Sequence, residues 1–213
     1  GAITELKKLF YAEKFDFQKN YQNKYTEKGI NQESDGISEI VKFLGLPMVV
    51  KNEKRYFNDF INGEPDTVLK PLNFQMDLKC VYYPDGLDAF EEVDKEYEWQ
   101  QHGYNWLTGV ENAVVAKILL NPKGDTLEKE IFAMAKQAKV YPITESFRNE
   151  CIDYLNFERH PIEDRVKLYV IKTEQHHIET IKQAVELCRV EWDKLETAWN
   201  NKNKIEIELI KNF

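Results

Sequence analysis

The sequence predicts an α/β fold, a mixed central β-sheet flanked by helices, and three stretches carry that reading. Residues 67–69 and 74–83 read as strands joined by the turn Lys70-Pro-Leu-Asn73, a hairpin-like pair. Residues 113–120 (AVVAKILL) are a near-continuous apolar run bounded by Asn112 and by Asn121-Pro122, which suits a strand buried on both faces. Between them an acidic segment, residues 90–97, leads into a helix with Trp99, Trp106 and Leu107 on its apolar face and Gly109 as its C-cap. A helix between two such strands makes a crossover unit.

The remaining elements follow in chain order. Residues 4–25 interleave Leu6, Leu9, Phe10, Phe15, Phe17, Tyr21 and Tyr25 with Lys, Glu and Asn, the pattern of one or two short helices. Over residues 31–44, Ile37, Ile40, Val41 and Leu44 recur at helical steps, Gly45 with Pro47 supplies the stop, and Glu33 falls on the first turns. Residues 49–61 read as two short strands around the charged turn Lys51-Asn-Glu-Lys54, and Gly63 and Pro65 punctuate the chain just before Asp66.

Beyond the crossover, residues 126–138 form a predicted helix with Thr126 as N-cap, and residues 145–157 another. Residues 165–172 (RVKLYVIK) alternate like a strand. A long amphipathic helix over residues 175–200 carries Ile178, Ile181, Val185, Leu187, Trp192, Leu195 and Trp199, and residues 205–213 stay unassigned. With no repeat, low-complexity linker or clear boundary, the expectation is a single domain over residues 1–213, its core at about 28–172 and its C-terminal helix at about 175–200.

Composition narrows the function classes. A chain of 213 residues buries a core without disulfides or a structural metal. Cys80, Cys151 and Cys188 are widely spaced and form no CxxC, which fits a reducing cytosol and excludes a four-thiolate cluster. No run of 18 apolar residues and no basic-then-apolar start occurs, so neither membrane nor export is expected and the location is cytoplasmic. The net charge of −8 argues against a protein that coats nucleic acid, since such affinity is built from many Lys/Arg–phosphate contacts. It leaves room for an enzyme on DNA, because a site for divalent cations must itself be acidic. His176-His177 point about 100° apart on a helix and read as a solvated face. The four Trp residues sit at helical spacings, as core residues do.

The chemistry concentrates where Gly63-Glu-Pro-Asp66 precedes Asp77-Leu-Lys79 by one strand. Asp77 and Lys79, two apart, project from the same face of a strand. Alone, such a tripeptide is an ordinary surface ion pair. Asp66 on the neighbouring strand allows two carboxylates to meet around one cation, and hard oxygen ligands suit Mg²⁺ or Mn²⁺, which polarise a phosphate and acidify an attacking water. Lys79 beside that water can orient or deprotonate it, the more so where burial lowers its pKa. Glu33 on the preceding helix completes the shell, with Glu39 its competitor. Gln100 and Tyr104, four apart, share one face of the following helix, where amide and phenol can act together.

In that order, Glu33, Asp66, Asp77-Leu78-Lys79 and Gln100-x-x-x-Tyr104 resemble the successive motifs of the PD-(D/E)XK nuclease superfamily, in its RecB-like branch with lambda-exonuclease-type and YqaJ-type phage recombination nucleases. The resemblance covers residues 28–120, with a looser echo in residues 161–195. It implies a restriction-endonuclease-like core and a Mg²⁺-dependent DNA exonuclease, Mn²⁺ substituting, of phage or mobile-element origin and acting in the host cytoplasm. Asp66 and Asp77 would bind the cation, the Leu78 carbonyl and Glu33 complete its shell, and Lys79 position the water. Gln100 and Tyr104 would support substrate or the Lys79 side chain. It further implies DNA and a single-strand annealing protein as partners and, by analogy, a ring trimer. Two rivals stand beside this: a structure-selective or nicking endonuclease on the same core, and a non-catalytic DNA-binding or assembly module. The third motif carries Asp where Glu is commoner, and the basic residue that would read a 5′ phosphate has only Lys24 and Lys28 as counterparts.

Overall fold

The computed structural model describes residues 2–17, 24–47, 49–202 and 204–211, and the described side chains of its second helix begin at Gln32. Tyr21, expected in the N-terminal helices, lies outside the described residues. The chain forms two compact units, residues 22–174 and a second made of residues 1–21 with 175–213.

The larger unit is built on a four-stranded mixed sheet, β3 (Thr67–Leu69), β4 (Phe74–Val81), β5 (Asn112–Leu119) and β6 (Val166–Lys172), in that spatial order. β3 and β4 are the expected antiparallel hairpin, and Asn73 turns it in the left-handed conformation at φ 52°. β4 and β5 run parallel, joined by the crossover helix α3 (Lys95–Thr108), which Gly109 closes at φ 76°. β6 returns antiparallel to β5.

The sheet's alternation divides the core. Met76, Leu78, Ala116 and Ile118 face helix α2 (Lys24–Phe43) and its Ile37, Ile40 and Val41. Ala113, Val115, Tyr169 and Ile171 face the other way, with Val93 and Tyr97 packed on them. α2 comes close to β4 because Gly36 stands in the contact: a Cβ there would lie 2.5 Å from Leu78 Cδ2. α2 ends as predicted, with Gly45 left-handed at φ 62° and the N–H groups of Gly45 and Leu46 donating to the Lys42 and Val41 carbonyls.

Four boundaries differ from the sequence reading. α2 starts at Lys24, so Glu33 lies near its middle rather than on its first turns. The small ribbon before Asp66 is β1 (Tyr56–Phe57) with β2 (Asn62–Gly63), and its turn centres on Asn58 rather than on Lys51-Asn-Glu-Lys54. Asn58 Oδ1 accepts the N–H groups of Phe60 and Ile61 at 2.9 and 3.0 Å, a side-chain turn between the two strands, while Asn52 Oδ1 accepts the Lys54 N–H at 3.2 Å ahead of them. Helix α4 (Gly124–Ala138) begins ahead of Thr126, which is buried inside the first turn and caps nothing. Helix α5 (Glu145–Tyr154), capped by Thr144, stops before residue 157.

In the smaller unit α1 (Ala2–Phe15) packs Phe10 against Trp192 and Trp199 of α6 (Gln175–Asn201), ring centroids 5.1 and 5.9 Å apart. Lys14 pairs with Glu196 at 2.7 Å. Leu187, read as part of the apolar stripe, is 68% exposed, because it falls out of step with Val185, Trp192 and Trp199. The unassigned tail forms a further helix, α7 (Lys204–Lys211). Among the described residues no helix is long and apolar enough to cross a membrane.

Candidate active site

The hairpin places the two aspartates. β3 pairs with β4 only as far as Met76, and just beyond that point Asp66, the residue before β3, accepts the Leu78 N–H on its Oδ2 at 2.6 Å. The carboxylate thus takes the place of the next ladder partner. The Leu78 carbonyl emerges on the same edge, as the N–H and C=O of one strand residue do.

Asp77 points to the α3 face of β4 and is almost fully buried. Lys79, two residues on, brings Nζ to 2.6 Å from Asp77 Oδ2. That ammonium is the charged partner of this buried oxygen. Lys79 also sits over the Tyr97 ring, 5.1 Å from its centroid.

Glu33 reaches the same place from α2, one turn before Gly36. Its Oε2 pairs with Lys51 at 2.9 Å, and its Oε1 is buried without a hydrogen-bond partner. The loop that carries Lys51 also fixes Asp66. Asn52 donates its backbone N–H to the Asp66 carbonyl at 2.7 Å and its side-chain amide to Pro65 O at 2.9 Å. Sequence reading took this segment for a turn and missed Lys51 and Asn52. The signal was a cation and an amide in a short apolar-poor loop before Asp66, too common a pattern to single out.

Glu33, Asp66, Leu78 and Lys79 line one cleft of about 770 Å³, together with Tyr97 and Lys117. Asp77, almost fully buried, does not line it but touches Lys79, which does. Gln100 and Tyr104 bind each other, Nε2 to the phenol at 3.0 Å, and do not line the cleft. Tyr104 nevertheless feels Asp77, Lys79 and Asp66, and it is held against Gly63, where a Cβ would collide with its ring. Glu39 stays out: it is paired with Lys42 at 3.0 Å on the surface. The side chains of Lys24 and Lys28 lie outside the described residues.

The electrostatics are those of crowded acids. Burial, then repulsion from Asp77 and Glu33, pushes the Asp66 carboxyl up to about 7 against the relief given by the Leu78 N–H and Lys79. Burial likewise raises Asp77, which Lys79 partly offsets and Glu33 reinforces. Burial pulls the Lys79 ammonium down, but Asp77, Asp66 and Tyr97 outweigh it and leave it above its ordinary value. Burial acts on Lys79 in the direction expected, but in the metal-free protein its carboxylate partners hold it charged. Among the described residues no three His, Cys, Asp or Glu side chains are gathered into a finished metal cage. The donor chemistry still fits a hard cation: one buried oxygen, Glu33 Oε1, is without a donor, and burial with mutual repulsion raises the pKa of Asp66 and Asp77. The distribution of partners explains the open set, because Lys51 and Lys79 already draw on two of the acids.

No family model and no curated protein matches the sequence. Solved structures do match. The chain resembles a phage-related exonuclease from Haemophilus somnus 129PT, with TM-score 0.71 and 23% identity over 93% of this chain and 83% of the other. It also resembles an alkaline exonuclease from Laribacter hongkongensis, with TM-score 0.64 and 12% identity over 95% and 85% of the two chains. The latter enzyme's complex with dAMP matches at TM-score 0.62. The mixed sheet with its flanking helices is thus the fold of these exonucleases, and the resemblance read from the motifs stands at the level of the fold.

Proposed function

We propose that the chain is a divalent-cation-dependent deoxyribonuclease, an exonuclease of phage or mobile-element recombination, with Mg²⁺ as the cation and Mn²⁺ able to replace it. The observation that carries this reading is the convergence on one cleft of Glu33, Asp66 and Lys79, with the buried Asp77 in contact with Lys79 and the buried Glu33 Oε1 lacking a donor. A site kept only for folding gains nothing from burying acids in mutual repulsion. The likeness of the whole fold to exonucleases supports the same chemistry.

Asp66, Asp77, Glu33 and the Leu78 carbonyl would hold the cation. Once bound, a divalent cation supplies polarisation of the scissile phosphate and a more acidic attacking water. The chain's own residues do the rest. The Lys79 ammonium, protonated and pinned by Asp77 and Tyr97, donates to the nucleophilic water or to the phosphate and fixes its line of attack. Gln100 fixes the Tyr104 hydroxyl, whose ring braces Gly63 and with it the approach of the chain to Asp66.

The test is incubation of end-labelled linear DNA and of covalently closed DNA with Mg²⁺, beside Asp77→Ala and Lys79→Ala. Release of label from linear ends by the wild type alone is expected. Equal activity in all three proteins, or none in the wild type, would sink the nuclease reading in favour of a binding module. Nicking of closed circles would replace exonuclease by endonuclease.

A further inference from the structure

The register of the sheet puts a second lysine beside Lys79. Lys79 on β4 pairs in parallel register with Lys117 on β5, and Lys117 pairs with Lys167 on β6, so three lysines form one row across the α3 face of the sheet. Adjacent strands are about 4.8 Å apart, so the row steps away from the acidic centre at that spacing. Lys117 is 7% exposed yet lines the same cleft as Glu33, Asp66 and Lys79.

Its partner is Asp88, a half-exposed carboxylate in a loop that lines the same cleft. That loop does not depend on the ion pair for its position. The Tyr169 hydroxyl donates to the Asp88 carbonyl at 3.0 Å, and Lys167 Nζ donates to the Ala89 carbonyl at 3.0 Å. The Asp88 side chain can therefore release Lys117 without the loop leaving. A lysine held at a cleft wall by an exchangeable carboxylate, one strand from the residue that faces the scissile phosphate, is placed to take an anion of the same polymer.

We propose that Lys117 binds a backbone phosphate of the substrate strand next to the one that is cut, displacing Asp88, and so selects a polynucleotide over a mononucleotide. This rests on the nuclease reading for its account of Lys79. The phosphate contact itself is a matter of binding and is tested as such.

The experiment is fluorescence anisotropy of a labelled single-stranded oligonucleotide in EDTA, at several KCl concentrations, with wild type, Lys117→Gln and Asp88→Asn, each first checked by thermal melting. Lys117→Gln is expected to weaken binding about tenfold at low salt and to flatten the slope of log K against log salt by about 0.7, the loss of one phosphate contact on a single strand. Asp88→Asn, which frees the lysine, is expected to tighten binding a few fold without flattening the slope. Unchanged slopes in both variants, or weakening in both, would mean that the pair is only structural and would overturn the proposal even if wild type degrades DNA. Wild type that binds with these slopes yet degrades nothing would keep the phosphate contact and remove the nuclease reading.

Discussion

The ring of Tyr104 occupies the space that a side chain at Gly63 would need. Two motifs separated by a hairpin and half a helix are thereby one packing unit, and Gly63 is required for the room it leaves. Gly63→Ala should displace the ring, break the bond of its hydroxyl to Gln100 and move the Pro65-Asp66 segment, at a cost of about 1–3 kcal/mol. Tyr104→Leu should relieve part of that cost, so urea denaturation of the two single variants and the double variant should show a coupling above about 0.5 kcal/mol. Additive effects would separate the two residues.

The crowding of Asp66 sets a pH dependence for the metal-free protein. Its folded pKa, about 7, lies above its ordinary 3.8, so the folded state favours the proton. That contribution is complete below about pH 4 and is lost as pH rises to 7 and beyond, a span on the order of a few kcal/mol. The midpoint of melting in EDTA should therefore fall between pH 5 and pH 8 by several degrees more in wild type than in Asp66→Asn. Mg²⁺ should raise it more at pH 8 than at pH 6. Parallel curves for the two proteins would show that Asp66 does not carry the strain.

The elements that define the site were legible because each rests on a local rule. The hairpin followed from Lys70-Pro-Leu-Asn73, the buried parallel strand from AVVAKILL, and the ends of α2 and α3 from Gly45 and Gly109, both left-handed in the structure. The motif order alone brought Glu33, Asp66, Asp77 and Lys79 toward one place. What stayed hidden depends on long-range contacts. Lys51 meets Glu33 across the fold, Lys117 lines up with Lys79 only through the sheet register, and Tyr97 reaches Lys79 only after α3 has crossed over. The pKa of Lys79 depends on such contacts too, since burial was foreseeable and the weight of the two carboxylates beside it, Asp77 and Asp66, was not.

Gly36 sets the distance between α2 and β4, and through it the reach of Glu33. Gly36→Val would thrust a branched side chain against Leu78, Cys80 and Ile118 in the core, and helix and strand must part. Chemical denaturation should show a loss of about 1–3 kcal/mol, with Leu78→Ala recovering some of it. If Glu33 belongs to the cation's shell, the variant should also need more Mg²⁺ for half-maximal activity. A stability loss with unaltered Mg²⁺ demand would detach Glu33 from the metal.

Lys79 and Asp77 touch, yet their removal should not look alike. If Asp77 belongs to the cation's shell, Asp77→Asn removes one of its oxygen ligands, so both turnover and the Mg²⁺-induced rise in melting temperature should disappear. Lys79→Met removes a positive charge 2.6 Å from that oxygen, which should leave the thermal shift intact or enlarge it while kcat falls by about 10²–10⁴. A protein that merely uses the pair for packing would show the reverse order of damage, with stability lost in Lys79→Met and Mg²⁺ without effect on either. Calorimetry with and without Mg²⁺, set beside single-turnover cleavage, separates the two, because it reads cation binding where no reaction occurs.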